Sequence, residues 1–277
     1  INVVWRISAQ SISNMSLIVY GATDTGRVRD HNEDSILALE MNRTCVGVDA
    51  LLVVADGMGG HAAGEIASGI TISDIDECFR TGVFSNKSAD EIESSLSTLL
   101  QEVYRSVASA GRDGDIRGMG TTCTLAIIVG ERLYYAHVGD SRAYLFRDKK
   151  LSQITNDHSW VEEMVRAGII SKELARTHPS RNMVTRAIGL DDTVAVDTGS
   201  CALRFGDYVI LCSDGLNSML ADEDIQAIAQ TSSPETMCSD LIEAANQAGG
   251  HDNISVTFAY LRPVSYTHLT LPTNREV

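Results

Sequence analysis

Short runs of apolar residues separated by turn residues recur along the chain and predict a protein with many β-strands. The last run alternates apolar and polar positions, so that Ile254, Val256 and Phe258 would face one side of a strand. Two earlier runs are joined by a short turn that contains Gly130 and Glu131, which predicts antiparallel pairing. The predicted strands are 17–23, 35–40, 51–55, 122–129, 133–138, 142–146, 193–197, 208–212 and 254–260.

Other stretches repeat apolar residues every three or four positions and predict amphipathic helices. The most regular one is preceded by Ser88 and has Glu91 three residues later, a capping box that would begin the helix. The predicted helices are 65–79, 91–110 and 235–248, with shorter ones beginning near Ser159 and Asp222. Long helices beside antiparallel strands predict an α/β (α+β) fold in which helices cover a layered sheet core.

The balance of charges argues against nucleic acid as a partner. The chain of 277 residues carries 37 acidic and 22 basic residues, a formal net charge of −15, whereas nucleic-acid phosphates bind basic surfaces. No run of about 18 apolar residues predicts a membrane span, and no signal peptide is evident. The six cysteines are scattered without a Cys-x-x-Cys pair. We expect a cytoplasmic monomer that binds neither nucleic acid nor membrane.

The two ends of the chain differ in pattern from the part between them. Residues 1–14 are weakly patterned ahead of Met15 and are interpreted as a non-native or disordered leader. Residues 263–277 follow the last predicted strand and are interpreted as a non-native tail. The expected folded domain is 15–262.

Acidic residues stand at the ends of several predicted strands. Three apolar runs each end in an aspartate, and a fourth aspartate comes directly before its strand. In an antiparallel sheet the start of one strand lies beside the end of its neighbour, so one rim would collect these side chains. The acidic residues expected at this rim are Glu33, Asp34, Asp56, Asp140, Asp214 and Asp252.

A single Asp-Gly pair is ordinary turn chemistry, but Asp56 begins a glycine-rich segment, 56–61, whose backbone can approach a ligand closely. Clustered carboxylates repel one another unless a positive charge lies between them. Oxygen ligands favour Mg²⁺ and Mn²⁺ over Zn²⁺, and two such ions can activate a water and hold a phosphoryl group. Arg29, four residues before Glu33, is suited to bind phosphate, although alone it would be interpreted as a surface arginine.

Eight short segments carry residues that occur together in one enzyme family. The segments are 23–34, 56–61, 120–122, 139–142, 178–179, 185–189, 213–215 and 252–253. Taken in this order, along about 18–261, they resemble the bacterial members of the PPM (type 2C) phosphatase family. No single segment is specific, but the ordered set is. The resemblance implies two antiparallel sheets sandwiched between helix layers.

The resemblance also implies bound cations. Two Mn²⁺ or Mg²⁺ ions would lie in the core of the site, with a third, weaker ion beside them. The groups that would hold the ions are Glu33, Asp56, the Gly57 carbonyl, Asp140, Asp214 and Asp252. In the family pattern Asp56 would touch both core ions, whereas Asp140 and Asp214 would hold the third.

The remaining roles also come from the resemblance. Arg29 would bind the substrate phosphate, and His61 would protonate the leaving alcohol. Asp34 and Asn253 would contact the ligands rather than the ions. Residues at about 160–182 would form a flap beside the site.

The function implied is that of a metal-dependent protein serine/threonine phosphatase. It would hydrolyse phosphoserine and phosphothreonine on proteins by direct attack of a metal-bridging water, and it would oppose a bacterial Ser/Thr protein kinase. The alternative is a catalytically silent module of the same fold that binds phosphoproteins, and whose binding would survive removal of metal.

Other phosphatase and nucleotide-binding motifs are not present in the sequence. No cysteine is followed by arginine at Cys-x₅-Arg spacing, and no Asp-x-Asp-x-Thr/Val sequence occurs. The phosphate-binding loop Gly-x-x-x-x-Gly-Lys-Ser/Thr is also missing. His31 and His158 flank motifs but are not spaced as ligands, and His137 lies within a predicted strand. All three are interpreted as satisfied or solvated histidines.

Overall fold

Two antiparallel sheets form the centre of the protein. The computed structural model describes residues 15–41, 45, 47–60, 62–112, 118–190 and 193–263. The first sheet contains, in spatial order, β1 (Met15–Asp24), β11 (Ile254–Pro263), β10 (Tyr208–Cys212), β7 (Arg142–Arg147) and β8 (Lys150–Gln153). The second contains β2 (Asp34–Glu40), β3 (Ala50–Met58), β5 (Cys123–Val129), β6 (Arg132–Val138) and β9 (Asp197–Ala202), with β4 (Gly120–Thr121) paired to the end of β3.

Helices cover the outer faces of both sheets. Those packed on the second sheet are α1 (Ala62–Arg80) and α2 (Ala89–Ala110), and those on the first are α5 (Asp214–Asn217), α6 (Asp222–Thr231) and α7 (Met237–Gln247). Two further helices, α3 (Trp160–Arg166) and α4 (Lys172–Thr177), come between β8 and β9 in the sequence. These two helices contact each other. None of the described helices is long and apolar enough to cross a membrane.

The middle of the core lies between the two sheets. Leu52 and Val54 of β3 belong to this inner cluster, whereas Leu51 and Val53 point the other way and pack with α1 and α2. Because both faces of β3 are buried, its sequence is an unbroken apolar run rather than an alternating one. The predicted two-sheet fold between helix layers is therefore confirmed.

Most predicted elements are present, and the predicted helix start at the capping box is confirmed. The backbone N–H of Ser88 donates to Oε2 of Glu91 at 2.9 Å, directly before α2. The antiparallel turn at Gly130 and Glu131 is also confirmed, because Val129 of β5 pairs with Arg132 of β6.

One predicted strand is wrong. The strand predicted at 193–197 is not formed: residues 193–196 lie outside any strand, and β9 begins only at Asp197, which pairs with His137. The apolar residues Val194 and Val196 instead pack against the helix-covered core, so their pattern reflects burial outside the sheet. β8 and α4 were not predicted, because both are short and mostly polar. Residues 1–14 and 264–277 lie outside the described residues, so the interpretation of both ends stays a prediction.

Candidate active site

One end of the two-sheet core holds a cavity of about 240 Å³ lined by carboxylates. The antiparallel register explains their meeting, because Asp34 of β2 pairs with Asp56 of β3. Asp214 follows β10 and Asp252 precedes β11, and these two strands are neighbours. The predicted residues that line the cavity are Arg29, Glu33, Asp56, Gly57, Asp140, Asp214, Asp252 and Asn253. Asp34 lies buried beside them.

The carboxylates are crowded and largely withdrawn from solvent. Burial raises the pKa of Asp56 well above its usual range, and the negative charges of Asp34 and Asp214 raise it further. Burial raises the pKa of Asp214 to about 6, to which Asp252 adds by charge repulsion. Burial likewise raises the pKa of Asp140 well above normal. Bound cations would reverse these shifts, because they favour the ionised form.

The donor set suits a hard cation, since carboxylate oxygens predominate and no cysteine lines the cavity. Among the described residues, however, no three His, Cys, Asp or Glu side chains are placed so that they could hold one ion together as they stand. Asp252, one of the predicted ligands, is paired with Arg29, because its Oδ2 accepts a hydrogen bond from Nη2 of Arg29 at 2.7 Å.

The chain near Asp56 packs so closely that Gly57 and Gly64 have no room for a side chain. A Cβ atom on Gly57 would overlap the carbonyl oxygen of Gly64, and one on Gly64 would overlap Oε2 of Glu33. The N–H of Gly57 donates to the carbonyl of Glu33 at 3.2 Å. The Glu33 side chain is therefore held against the first turn of α1, at a distance that only glycine permits.

Asn253 fixes the loop that carries Arg29 and Glu33. Its Nδ2 donates to the carbonyls of Thr25 and His31 at 3.0 and 2.8 Å. Its Oδ1 accepts from the backbone N–H of Glu33 at 2.8 Å. The supporting role of Asn253 in a metal site stays a prediction.

Asp34 connects β2 to the segment before Asp214. The hydroxyl of Ser213 donates to Oδ2 of Asp34 at 2.8 Å, while Oδ1 finds no hydrogen-bond partner among the described residues. Burial raises the pKa of Asp34 to about 7. A buried carboxyl oxygen without a partner is costly, and a cation nearby would reduce that cost.

Comparison with known proteins establishes the family. A family model described as Protein phosphatase 2C matches residues 27–250. The serine/threonine phosphatase stp of Listeria monocytogenes is 39% identical over 236 residues, which cover 84% of this chain and 92% of that protein. The chain belongs to the protein phosphatase 2C family. The predicted PPM (type 2C) membership is thereby confirmed, and with it the enzyme class, a protein serine/threonine phosphatase.

Solved structures of phosphatase 2C relatives share the fold. Stp1 from Staphylococcus aureus superposes with a TM-score of 0.81 at 33% identity, covering 87% of this chain and 94% of that one. The catalytic domain of the phosphatase PstP superposes with a TM-score of 0.77 at 34% identity, covering 89% and 98%. The PstP structure was solved in complex with 2 manganese ions.

Thr122 also lines the cavity of this phosphatase 2C domain, although the sequence analysis assigned it no role of its own. Its Oγ1 accepts from the N–H of Asp56 at 3.0 Å and shares a hydrogen bond with Oγ of Ser141 at 2.8 Å. The hydroxyl of Thr121 donates to the carbonyl of Asp56 at 2.9 Å. The two threonines therefore tie Asp56 to the loop that contains Asp140. The segment 120–122 was part of the family resemblance, which was the available signal.

The predicted flap segment meets the cavity at its far end. Asn182 and Val184 line the cavity, and an isolated β-bridge joins Val184 to Ser159. Asn182 is the last residue of the predicted flap, whereas Val184 lies two residues beyond it. His61, the predicted proton donor, lies outside the described residues, so its role stays a prediction.

Proposed function

We propose that this phosphatase 2C protein hydrolyses phosphoserine and phosphothreonine in proteins with Mn²⁺ or Mg²⁺ bound at the carboxylate cavity. The observation that carries the proposal is the meeting of the acidic residues with one arginine in one partly enclosed space. The proposed ligands are Glu33, Asp56, the Gly57 carbonyl, Asp140, Asp214 and Asp252. Bound there, two ions would supply Lewis acidity that lowers the pKa of a water, and positive charge that offsets the phosphate.

Substrate binding and proton transfer are assigned to other residues of the chain. Arg29 is half-exposed at the cavity, with 52% of its side chain accessible, so its guanidinium can reach an incoming phosphate. The ion pair with Asp252 uses only Nη2 of Arg29, which leaves other N–H donors of the guanidinium for the phosphate. Asn253 keeps Arg29 and Glu33 in one loop, while His61 would protonate the departing serine or threonine oxygen.

A protein substrate is supported by the space beyond the phosphate site. A second cavity of about 390 Å³ adjoins the first and shares Asp140, Asn182 and Asp214 with it. It extends under α3 and α4, where Arg176 and Arg181 line it. Residues that flank a phosphoserine would have room there. A bacterial Ser/Thr protein kinase is the proposed source of these phosphoproteins.

The test is turnover of a phosphopeptide with and without cation. Purified protein should release phosphate with Mn²⁺ or Mg²⁺, and excess chelator should stop the release. Asp56→Asn should abolish turnover while circular dichroism shows the fold intact, because Asp56 is proposed to touch both core ions. Asp90→Asn, on the exposed first turn of α2, is the control and should keep full activity.

Two results would contradict the proposal. Full activity of Asp56→Asn would remove this residue from the site. Phosphopeptide binding without turnover, persisting after metal removal, would instead support the silent binding module.

A further inference from the structure

His158 makes two hydrogen bonds to the loop that carries Asp140. The backbone N–H of Gly139 donates to Nδ1 of His158 at 3.0 Å. The carbonyl of Gly139 accepts from the backbone N–H of His158 at 2.7 Å. Both polar backbone groups of the residue before Asp140 are therefore used by His158.

Gly139 itself leaves the loop little freedom to move. It has a φ of 114°, and a Cβ atom there would lie 2.5 Å from Cβ of Thr122. Thr122 is in turn hydrogen-bonded to Ser141, on the other side of Asp140. The position of the Asp140 carboxylate therefore depends on contacts at both neighbouring residues.

The hydrogen bonds fix the tautomer of the His158 ring. Since Nδ1 accepts from Gly139, the proton of the neutral ring lies on Nε2, which is 3.1 Å from Oδ2 of Asp197 and 3.3 Å from Nη1 of Arg186. Arg186 holds the other oxygen of Asp197 at 3.0 Å. Burial lowers the pKa of His158, which favours the neutral ring that this arrangement needs. The carboxylate orients the imidazole, and the imidazole orients the loop.

His158 also contacts the segment that follows the predicted flap in sequence. Its carbonyl accepts from the N–H of Thr185 at 2.8 Å, and the adjacent Ser159 bridges to Val184. Val184 and Asp140 line the same cavity. One residue thus joins the Asp140 loop to the cavity wall that faces it.

We propose that His158 is a positioning residue for Asp140, acting through the hydrogen bond from Gly139. Its acceptor nitrogen keeps the Asp140 carboxylate directed into the cavity, where it serves the weakest cation site together with Asp214. The inference rests on the proposed metal dependence of the protein.

The neighbouring His137 provides a matched comparison. It is equally buried, and its ring centroid lies 4.7 Å from that of His158. Its nitrogens, however, pair with Oγ1 of Thr124 at 2.9 Å and with the carbonyl of Asn156 at 3.1 Å. A change at His137 disturbs the same part of the core and leaves the Gly139–His158 bond in place.

The experiment measures Mn²⁺ binding directly, by calorimetry and electron paramagnetic resonance, without substrate. His158→Leu removes the acceptor and should weaken the weakest Mn²⁺ site by about 10–100-fold, with the tighter sites unchanged. His158→Asn should bind nearly as wild type, because its Oδ1 is attached to Cγ as Nδ1 is and can accept from Gly139. His137→Asn should bind Mn²⁺ as wild type. In an Asp140→Asn background, His158→Leu should add no further loss.

Several outcomes would overturn the inference. Wild-type binding by His158→Leu would do so, as would equal losses in His158→Leu and His158→Asn, or a further loss in the Asp140→Asn background. If His158→Leu does not fold, Asp197→Ala frees the ring to change tautomer and should weaken the same site; unchanged binding would then refute the role. Wild-type protein that binds no Mn²⁺ would instead contradict the proposed function itself.

Discussion

Replacing Asp214 by asparagine should stabilise the metal-free protein at pH 8, although it damages the proposed site. The folded structure raises the pKa of Asp214 to about 6 from its ordinary 3.8, chiefly by burial. The difference is about two pH units, and at about 1.36 kcal/mol per unit it corresponds to about 3 kcal/mol. Asp214 borders the cavity, where solvent screens its charge, so we expect a gain of about 1–3 kcal/mol.

The sign depends on pH in a defined way. The folded protein binds the Asp214 proton more tightly than the unfolded chain does, so wild-type stability falls as pH rises from about 3.8 to about 6. The advantage of Asp214→Asn should therefore be largest at pH 8 and nearly absent at pH 4. An asparagine at this position can still accept, through its amide oxygen, the hydrogen bond that the protonated Asp56 carboxyl donates to Asp214 in the wild type.

The assay is urea unfolding in EDTA at pH 4 and pH 8, repeated at pH 8 with Mn²⁺. A cation that binds only the folded state stabilises that state by about 2.7 kcal/mol when its concentration is about 100 times its Kd. Mn²⁺ should therefore raise the unfolding free energy of the wild type more than that of Asp214→Asn. Asp90→Asn should show neither effect. Lower stability of Asp214→Asn in EDTA at pH 8, or a difference that does not change with pH, would refute the reasoning.

Two further variants test other parts of the site. His61→Gln should slow phosphopeptide hydrolysis by about 10²–10⁴-fold but nitrophenyl phosphate hydrolysis much less, because a nitrophenolate needs little protonation to leave; equal slowing of both substrates in steady-state assays would remove His61 as the acid. Gly64→Ala should lower activity, since its Cβ would overlap the Glu33 carboxylate, whereas Gly69→Ala in the same helix meets open space and should raise the unfolding free energy by about 0.5–1 kcal/mol. Equal activity of the two alanine variants would show that Glu33 is free to move.

The rim of acidic residues could be predicted because it depends on local patterns. A strand that ends in aspartate is visible in the sequence, and antiparallel pairing brings such ends together without further information. The register of Asp34 against Asp56 follows from the same rule. The position of β9 could not be predicted in this way, because Val194 and Val196 are apolar for packing rather than for strand pairing.

The residues that hold the ligands in place were harder to predict. Thr122 reaches Asp56 across 66 positions, and His158 reaches Gly139 across 19, and no periodicity connects such pairs. A lone buried histidine looks the same in sequence whether it fills the core or fixes a loop. His158 was interpreted as a satisfied histidine, which is correct but incomplete, because the partner that satisfies it is the residue before Asp140.

The place of β11 in the first sheet has a consequence for synthesis of the protein. β11 lies between β1 and β10, although it is the last of the described strands in sequence. A nascent chain that has not yet produced Ile254–Pro263 leaves both neighbours with unpaired edges, which favour aggregation until they are covered. Asp252 and Asn253 come directly before this strand, and Asn253 fixes the loop containing Arg29. The site can therefore assemble only after the segment from Asp252 onward has been synthesised and has paired with the N-terminal part of the domain. A ribosome-bound chain halted before Asp252 should be inactive.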